Sequence, residues 1–275
     1  MPLTPVPELI AAARPGGLGA FNVITLEHAE AIATAAESAK RPVVLQISEN
    51  TAQYHGALAP LALACLRIAA DSTAAIAVHL DHATSADLVR AAVDLGIRSV
   101  MYDGSTLDYT ANVAATAEIT RWCHDRGVFV EAELGEVGGK DGAHAPGVRT
   151  DPDEAVEFAT TTGVDALAVA VGSSHAMHAR TAELDNELIA RLAAKVPVPL
   201  VLHGSSGVPD TGLRAAVEHG MTKVNIATRL NVLMSDTIRE ILIGSPTVAD
   251  PRKYLSPART TITDEVERFL LLLAP

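Results

Sequence analysis

Two cysteines in 275 residues are too few to staple a chain of this length. Cys65 and Cys123 are expected to be buried or idle thiols, and their scarcity points to a reducing compartment. Aromatic residues are also scarce, with 4 Phe, 4 Tyr and 1 Trp, which leaves little for stacking on nucleic-acid bases. Positive charge is in deficit. Against 33 Asp and Glu stand 21 Lys and Arg, a formal net charge of −12, and no basic run breaks that balance. Phosphate backbones are gripped by Lys and Arg, so nucleic acid is excluded as a partner. No apolar run approaches the ~20 residues of a membrane span. The stretch 269–274 is one of the longest, and no membrane partner is expected. Residues 1–8 have neither the basic start nor the apolar core of a signal peptide. The expected location is the cytoplasm.

Apolar residues make up 48% of the chain, enough for a large core. They fall in an alternating pattern. Short β-branched runs occupy residues 19–23, 42–47, 76–80, 98–102, 128–133, 164–171, 199–203 and 221–226. Segments with helical spacing follow at 26–40, 57–70, 85–95, 107–126, 153–162, 182–194, 209–219, 228–243 and 257–273. Eight strand candidates, apolar on both faces and each followed by a helix, describe an α/β protein. The expected fold is a (β/α)8 TIM barrel, one domain over residues 1–275 with a C-terminal helix. A doubly wound open sheet is the alternative. Residues 135–147 and 204–207 are too rich in glycine for regular structure and are read as loops.

Polar residues gather at the C-terminal ends of these runs, where a barrel collects its catalytic groups. His82, His175 and His203 follow three different strands. Three imidazoles suit a tetrahedral zinc ion (Zn2+) with one position open to substrate. Asp81, beside His82, is placed to move protons on a bound substrate. Asp103 and Glu133, at two more strand ends, can bind a second cation or orient the histidines. His79 is either a neighbour of that cluster or structural. The loop Gly204, Ser205, Ser206, Gly207 and the segment Asn225, Ile226, Ala227, Thr228 offer backbone amides and hydroxyls to an anion. In barrels of this kind the loops after the seventh and eighth strands are a common phosphate site.

The segments 19–23 (GAFNV), 79–82 (HLDH), 99–105 (SVMYDGS), 130–135 (VEAELG), 150–152 (TDP), 164–169 (VDALAV), 202–207 (LHGSSG), 223–228 (KVNIAT) and 250–254 (DPRKY) resemble, in order, those of class II, metal-dependent ketose-bisphosphate aldolases. That resemblance spans nearly the whole chain. It implies zinc on His82, His175 and His203, with Asp103 and Glu133 at positions tied to an alternative metal site. Asp81 would give a proton to the aldehyde oxygen as the bond forms and take it back in cleavage. Residues 204–206 and 225–228 would bind the phosphate of dihydroxyacetone phosphate, beside a Na+ or K+. Asn22 matches a substrate-side residue, and relatives are homodimers or homotetramers.

Three departures from the family pattern bear on the substrate rather than the reaction. Ala176 stands where the family has Gly beside the phosphate. The loop Gly138 to Gly142 carries Lys140 and Asp141 where Glu usually precedes Asp, so Asp141 is the acid available there. Ser48, Glu49 and Asn50 are bulkier and more polar than usual after the second strand. The expected activity is retro-aldol cleavage of fructose or tagatose 1,6-bisphosphate to dihydroxyacetone phosphate and an aldehyde. The segment 225–228 lies nearer the tagatose branch. The alternatives are an aldolase of another phosphorylated keto-sugar, such as a deoxy-ketogluconate phosphate, a zinc-dependent hydrolase or epimerase on the same barrel, and a sugar-phosphate binder without turnover.

Overall fold

In the computed structural model, residues 3–134, 149–174 and 179–275 are described. Eight parallel strands close into a barrel in chain order: β1 (Leu18–Asn22), β2 (Val43–Ser48), β3 (Ile76–Ala83), β4 (Ser99–Tyr102), β5 (Phe129–Glu133), β6 (Ala166–Ala168), β7 (Leu200–Leu202) and β8 (Met221–Ile226). Closure comes from β1 pairing with β8, with Ala20 opposite Asn225. The open-sheet alternative is thereby excluded.

Helices fill the outside: α1 (Val6–Ala13), α2 (Leu26–Ala39), α3 (Glu49–Tyr54), α4 (Ala59–Asp71), α5 (Ala86–Asp94), α6 (Tyr109–His124), α7 (Pro152–Thr162), α8 (Asn186–Lys195), α9 (Asp210–Glu218), α10 (Thr228–Gly244) and α11 (Arg252–Leu272). Their starts are written locally. Ser85, Asp108, Asp151 and Asp185 each accept a backbone N–H at a helix N-terminus. Thr25 and His28 form a capping box on α2.

Three elements differ from the sequence reading. Helix α1 follows Pro5 and carries Pro7 in its first turn, a start signal absent from the helix segments read from the sequence. The short α3 follows β2 directly, where Ser48 accepts from the Thr51 amide at 3.2 Å; six residues are too few to show helical periodicity. Helix α11 begins at Arg252, so Pro257 lies inside it rather than at its start.

The main apolar core lies between sheet and helices and includes Phe21, Phe158 and Phe269. Burying each such side chain stabilises the fold by about 1.5–3 kcal/mol. Cys65 and Cys123 sit in this layer as buried free thiols. Burial pushes their pKa values up to about 12 and about 11. Inside the barrel, Leu18, Ala20, Val44 and Ala77 fill the N-terminal end with apolar groups. Two and four residues further along the same strands stand Asn22, Gln46, Ser48, His79 and Asp81. The two-residue period keeps each set on one face, so the barrel interior turns polar toward the C-terminal mouth. Among the described residues no helix is long and apolar enough to cross a membrane.

Candidate active site

Asp81 and His82 are neighbours in sequence, and neighbours on a strand point to opposite faces. A regular strand would send only one of them to the barrel mouth. Instead β3 runs on to Ala83, its register against β4 shifts between Leu80 and Ala83, and His82 has φ +50. This is a bulge, the device that re-aims a side chain beside a site. A left-handed backbone at a non-glycine residue is strained and persists where the surroundings enforce it.

The groups around the bulge hold it. The Asp103 Oδ2 lies 2.8 Å from His82 Nδ1, while Oδ1 accepts from the Ser105 amide at 3.2 Å and hydroxyl at 2.5 Å. Asn22 Nδ2 donates to Asp81 Oδ2 at 3.0 Å, and Gln46 Nε2 donates to Asn22 Oδ1 at 2.7 Å. Asp81 Oδ1 is buried and has no hydrogen-bond partner among the described residues. Burial works to raise the Asp81 pKa, but His82, His203, Lys223 and His79 outweigh it and hold it down to about 2.

His203, at the end of β7, is fully buried between two carboxylates of β5. Its Nδ1 lies 3.1 Å from Glu133 Oε2 and its Nε2 lies 3.1 Å from Glu131 Oε1. Burial favours the neutral ring, yet the hydrogen bonds and charge of Glu131 and Glu133 win, and the pKa rises to about 9. Glu131 in turn accepts from Lys223 Nζ at 2.8 Å. Burial would raise Glu131, but Lys223 and His203 hold it well below the usual carboxylate range. Asn112 of α6 steadies the end of β5 by donating to the carbonyls of Glu133 and Leu134 at 3.2 and 3.3 Å. His79 is buried on the same strand as Asp81. Its Nδ1 meets Ser99 Oγ at 2.7 Å, and burial, reinforced by Lys223, lowers its pKa to about 3.

Two groups of donors draw close enough for one ion. Ligand atoms of Asp81, His82 and His203 lie within 4.8 Å of one another, and so do those of His82, Asp103 and Glu133. Imidazole with carboxylate is a donor set that suits zinc, so the residues present fit that ion. The sequence analysis named all five of these residues. His175, Ala176 and Asp141 lie outside the described residues.

Above the cluster opens a cavity of about 570 Å³, whose lining includes Asn22, Asp81, His82, Ser205, Asn225 and Thr228. Gly204, Ser206 and Ala227 line it too; Ile226 does not, since its side chain is in the apolar core. The turn Ser205–Gly207 is a single 3-10 turn. Gly204 has φ +66, and a Cβ there would stand 2.6 Å from the backbone carbon of Ser174, so only glycine fits. The Ser205 hydroxyl donates to the Asn225 carbonyl, and Ser206 Oγ accepts from the amides of Ala227 and Arg229 at 3.4 and 3.3 Å. These bonds tie the loop after β7 to the N-terminus of α10, which carries the positive end of the helix dipole.

Sequence reasoning gave no site role to Gln46, Glu131 and Lys223. Each lies two residues before a polar position at a strand end. A polar residue inside an otherwise apolar run was the available signal.

The family model described as fructose-bisphosphate aldolase class-II matches residues 6–274. A fructose-bisphosphate aldolase of Staphylococcus epidermidis is 37% identical over 273 residues, covering 97% of this chain and 96% of the relative. One from Staphylococcus aureus is 36% identical over the same span. The crystal structure of the YdjI aldolase from Escherichia coli K12 superposes with a TM-score of 0.86 at 28% identity, covering 98% of this chain and 97% of that one. A fructose-bisphosphate aldolase structure from Campylobacter jejuni, 20% identical, shares the fold with a TM-score of 0.79 and coverage of 98% and 93%.

Proposed function

The chain belongs to the class-II fructose-bisphosphate aldolase family and is a lyase; from that premise we propose zinc-dependent cleavage of a ketose 1,6-bisphosphate, of the fructose or tagatose type, to dihydroxyacetone phosphate and an aldehyde. The observation that carries this reading is the meeting of Asp81, His82 and His203, with ligand atoms within 4.8 Å of one another. His82 and His203, joined by His175, are the residues that would hold zinc. When bound, zinc supplies a Lewis acid that draws electrons from the carbonyl next to the breaking bond.

The chain's own groups do the rest. The substrate phosphate sits at residues 204–206 and 225–228, where the α10 N-terminus favours an anion. Asn22 holds one oxygen of Asp81, leaving the other to take the proton from the substrate hydroxyl in cleavage and return it in condensation. Asp103 orients His82 through the ring nitrogen it meets, and Glu133 flanks the ring of His203. Asp141 is assigned the proton at the carbon that leaves the bond. The reading extends to a cytoplasmic homodimer or homotetramer, which sedimentation and cell fractionation test.

A second reading, another phosphorylated keto-sugar, is favoured by Glu49, Asn50 and Gln53, which line the mouth of the cavity. Glu49 is pinned there by the Thr84 amide and hydroxyl at 2.6 and 3.1 Å, and its charge disfavours a second phosphate nearby.

Triose-phosphate release from fructose and tagatose 1,6-bisphosphate, with and without a chelator, tests both readings. Chelator-sensitive cleavage of either sugar supports the first. Zinc-loaded protein that cleaves neither refutes that substrate class, and release of inorganic phosphate instead of triose phosphate refutes the aldol chemistry.

A further inference from the structure

Below the cavity the barrel encloses an ion pair that the chemistry above does not use. Lys223 on β8 and Glu131 on β5 are 1% and 0% exposed. Their side chains meet across the barrel interior at 2.8 Å. Lysine is the usual covalent electron sink for this class of reaction, but this one is locked against a carboxylate and lines no described part of the cavity. A buried ion pair is by itself weak evidence for stability, since desolvation offsets most of its attraction.

The other oxygen of Glu131 shows what the pair is aimed at. It faces His203 Nε2 at 3.1 Å, while Nδ1 of the same ring faces Glu133. Glu133 belongs to one of the metal-capable clusters, and Glu131 belongs to neither. The two ring nitrogens therefore have different surroundings. Nδ1 faces a carboxylate that belongs to a metal-capable cluster, and Nε2 faces one that belongs to neither.

We propose that Glu131 and Lys223 are positioning residues of the metal centre. Glu131 holds the Nε2–H of His203 and so reserves Nδ1 for the ion; Lys223 fixes Glu131 in that pose and cancels its charge. The imidazole is oriented without an added net negative charge that would weaken a Lewis acid. Hydrogen-bonded carboxylates behind ligating histidines commonly set tautomer and ring angle in this way. The inference rests on the zinc reading of the site.

Imidazole nitrogen NMR of zinc-loaded wild-type protein provides the first test. The expected result is His203 with its proton on Nε2 and zinc on Nδ1; the opposite assignment overturns the proposal without any variant. Competition against a chromogenic chelator provides the second. Glu131→Gln should bind zinc 10- to 100-fold more weakly than wild type, with an unchanged circular-dichroism spectrum. A folded variant with wild-type affinity overturns the proposal while leaving the zinc reading intact. A wild type that takes no zinc in the same titration overturns both. In Lys223→Met the His203 Nε2–H resonance should move upfield as Glu131 loses its anchor. An unmoved resonance removes Lys223 from the assignment. A pair that only filled the barrel would lower stability and move none of these readouts.

Discussion

Gly204→Ala is the sharpest mechanical test of the loop assigned to the substrate phosphate. Two costs can be worked from the structure. Residue 204 has φ +66, and an alanine in the left-handed region costs about 1–2 kcal/mol. The new Cβ would also stand 2.6, 2.7 and 2.8 Å from the backbone carbon, oxygen and nitrogen of Ser174. Backbone cannot swing aside as a side chain does, and overpacking of this kind costs about 1–3 kcal/mol. The sum is about 2–5 kcal/mol, a melting temperature lower by roughly 4–20 °C for a chain of this size. Gly56→Ala is the control. Its φ is +73 but nothing lies within 4 Å of the added Cβ, so it should lose only the conformational cost, about 1–2 kcal/mol. Because the clash pushes the loops after β6 and β7 apart, Gly204→Ala should also raise KM for the phosphorylated substrate, and Gly56→Ala should not. Calorimetry and a coupled triose-phosphate assay measure both effects. Equal melting temperatures for the two variants, with unchanged KM, would refute the reasoning.

The site and the fold make further expectations measurable. Asp81→Ala should keep zinc and lose turnover by on the order of 10²–10⁴; full activity would remove Asp81 from proton transfer. His203→Ala should lose zinc and nearly all activity, and full zinc content by mass spectrometry would sink the ligand assignment. His28 is buried, and that burial, opposed by Glu27, lowers its pKa from 6.5 to about 4. The folded state therefore resists a proton that the unfolded chain accepts below pH 6.5. The contribution of His28 to stability is complete above pH 6.5 and is lost as pH falls toward 4, about 3 kcal/mol in all. His28→Gln keeps a capping-box residue and should flatten the urea-midpoint profile between pH 7 and 4. Identical profiles for variant and wild type would refute the linkage.

Much of the architecture is legible in local pattern. The eight strands fall within a few residues of the apolar runs, because a parallel strand buried on both faces shows itself as an uninterrupted β-branched run. Caps such as Asp108 and Asp151 act within one helical turn and can be read in place. Where the reading slipped, the cause is equally local. The six residues of α3 show no period, and Pro257, a common first-turn residue, drew the start of α11 too far along the chain. The site was legible for a different reason. Polar residues closing apolar runs mark the barrel mouth, which is how Asp81, His82, Asp103, Glu133 and His203 came into view.

What the sequence by itself determined is the order of strands and helices, the end of the barrel that carries the chemistry, and the residue types gathered there. These follow from preferences that act over a few residues. The tertiary structure alone decided which polar groups meet. The bulge that turns His82 toward Asp103 depends on how β3 and β4 pair. His203 lies 70 residues from Glu133 and 72 from Glu131, and Lys223 lies 92 from Glu131. Contacts over such separations form only once the sheet curls and brings the inward faces of β5, β7 and β8 together. An apolar run on a two-faced strand does not say which of its faces turns inward. Closure chooses that face, and with it the carboxylate behind each histidine.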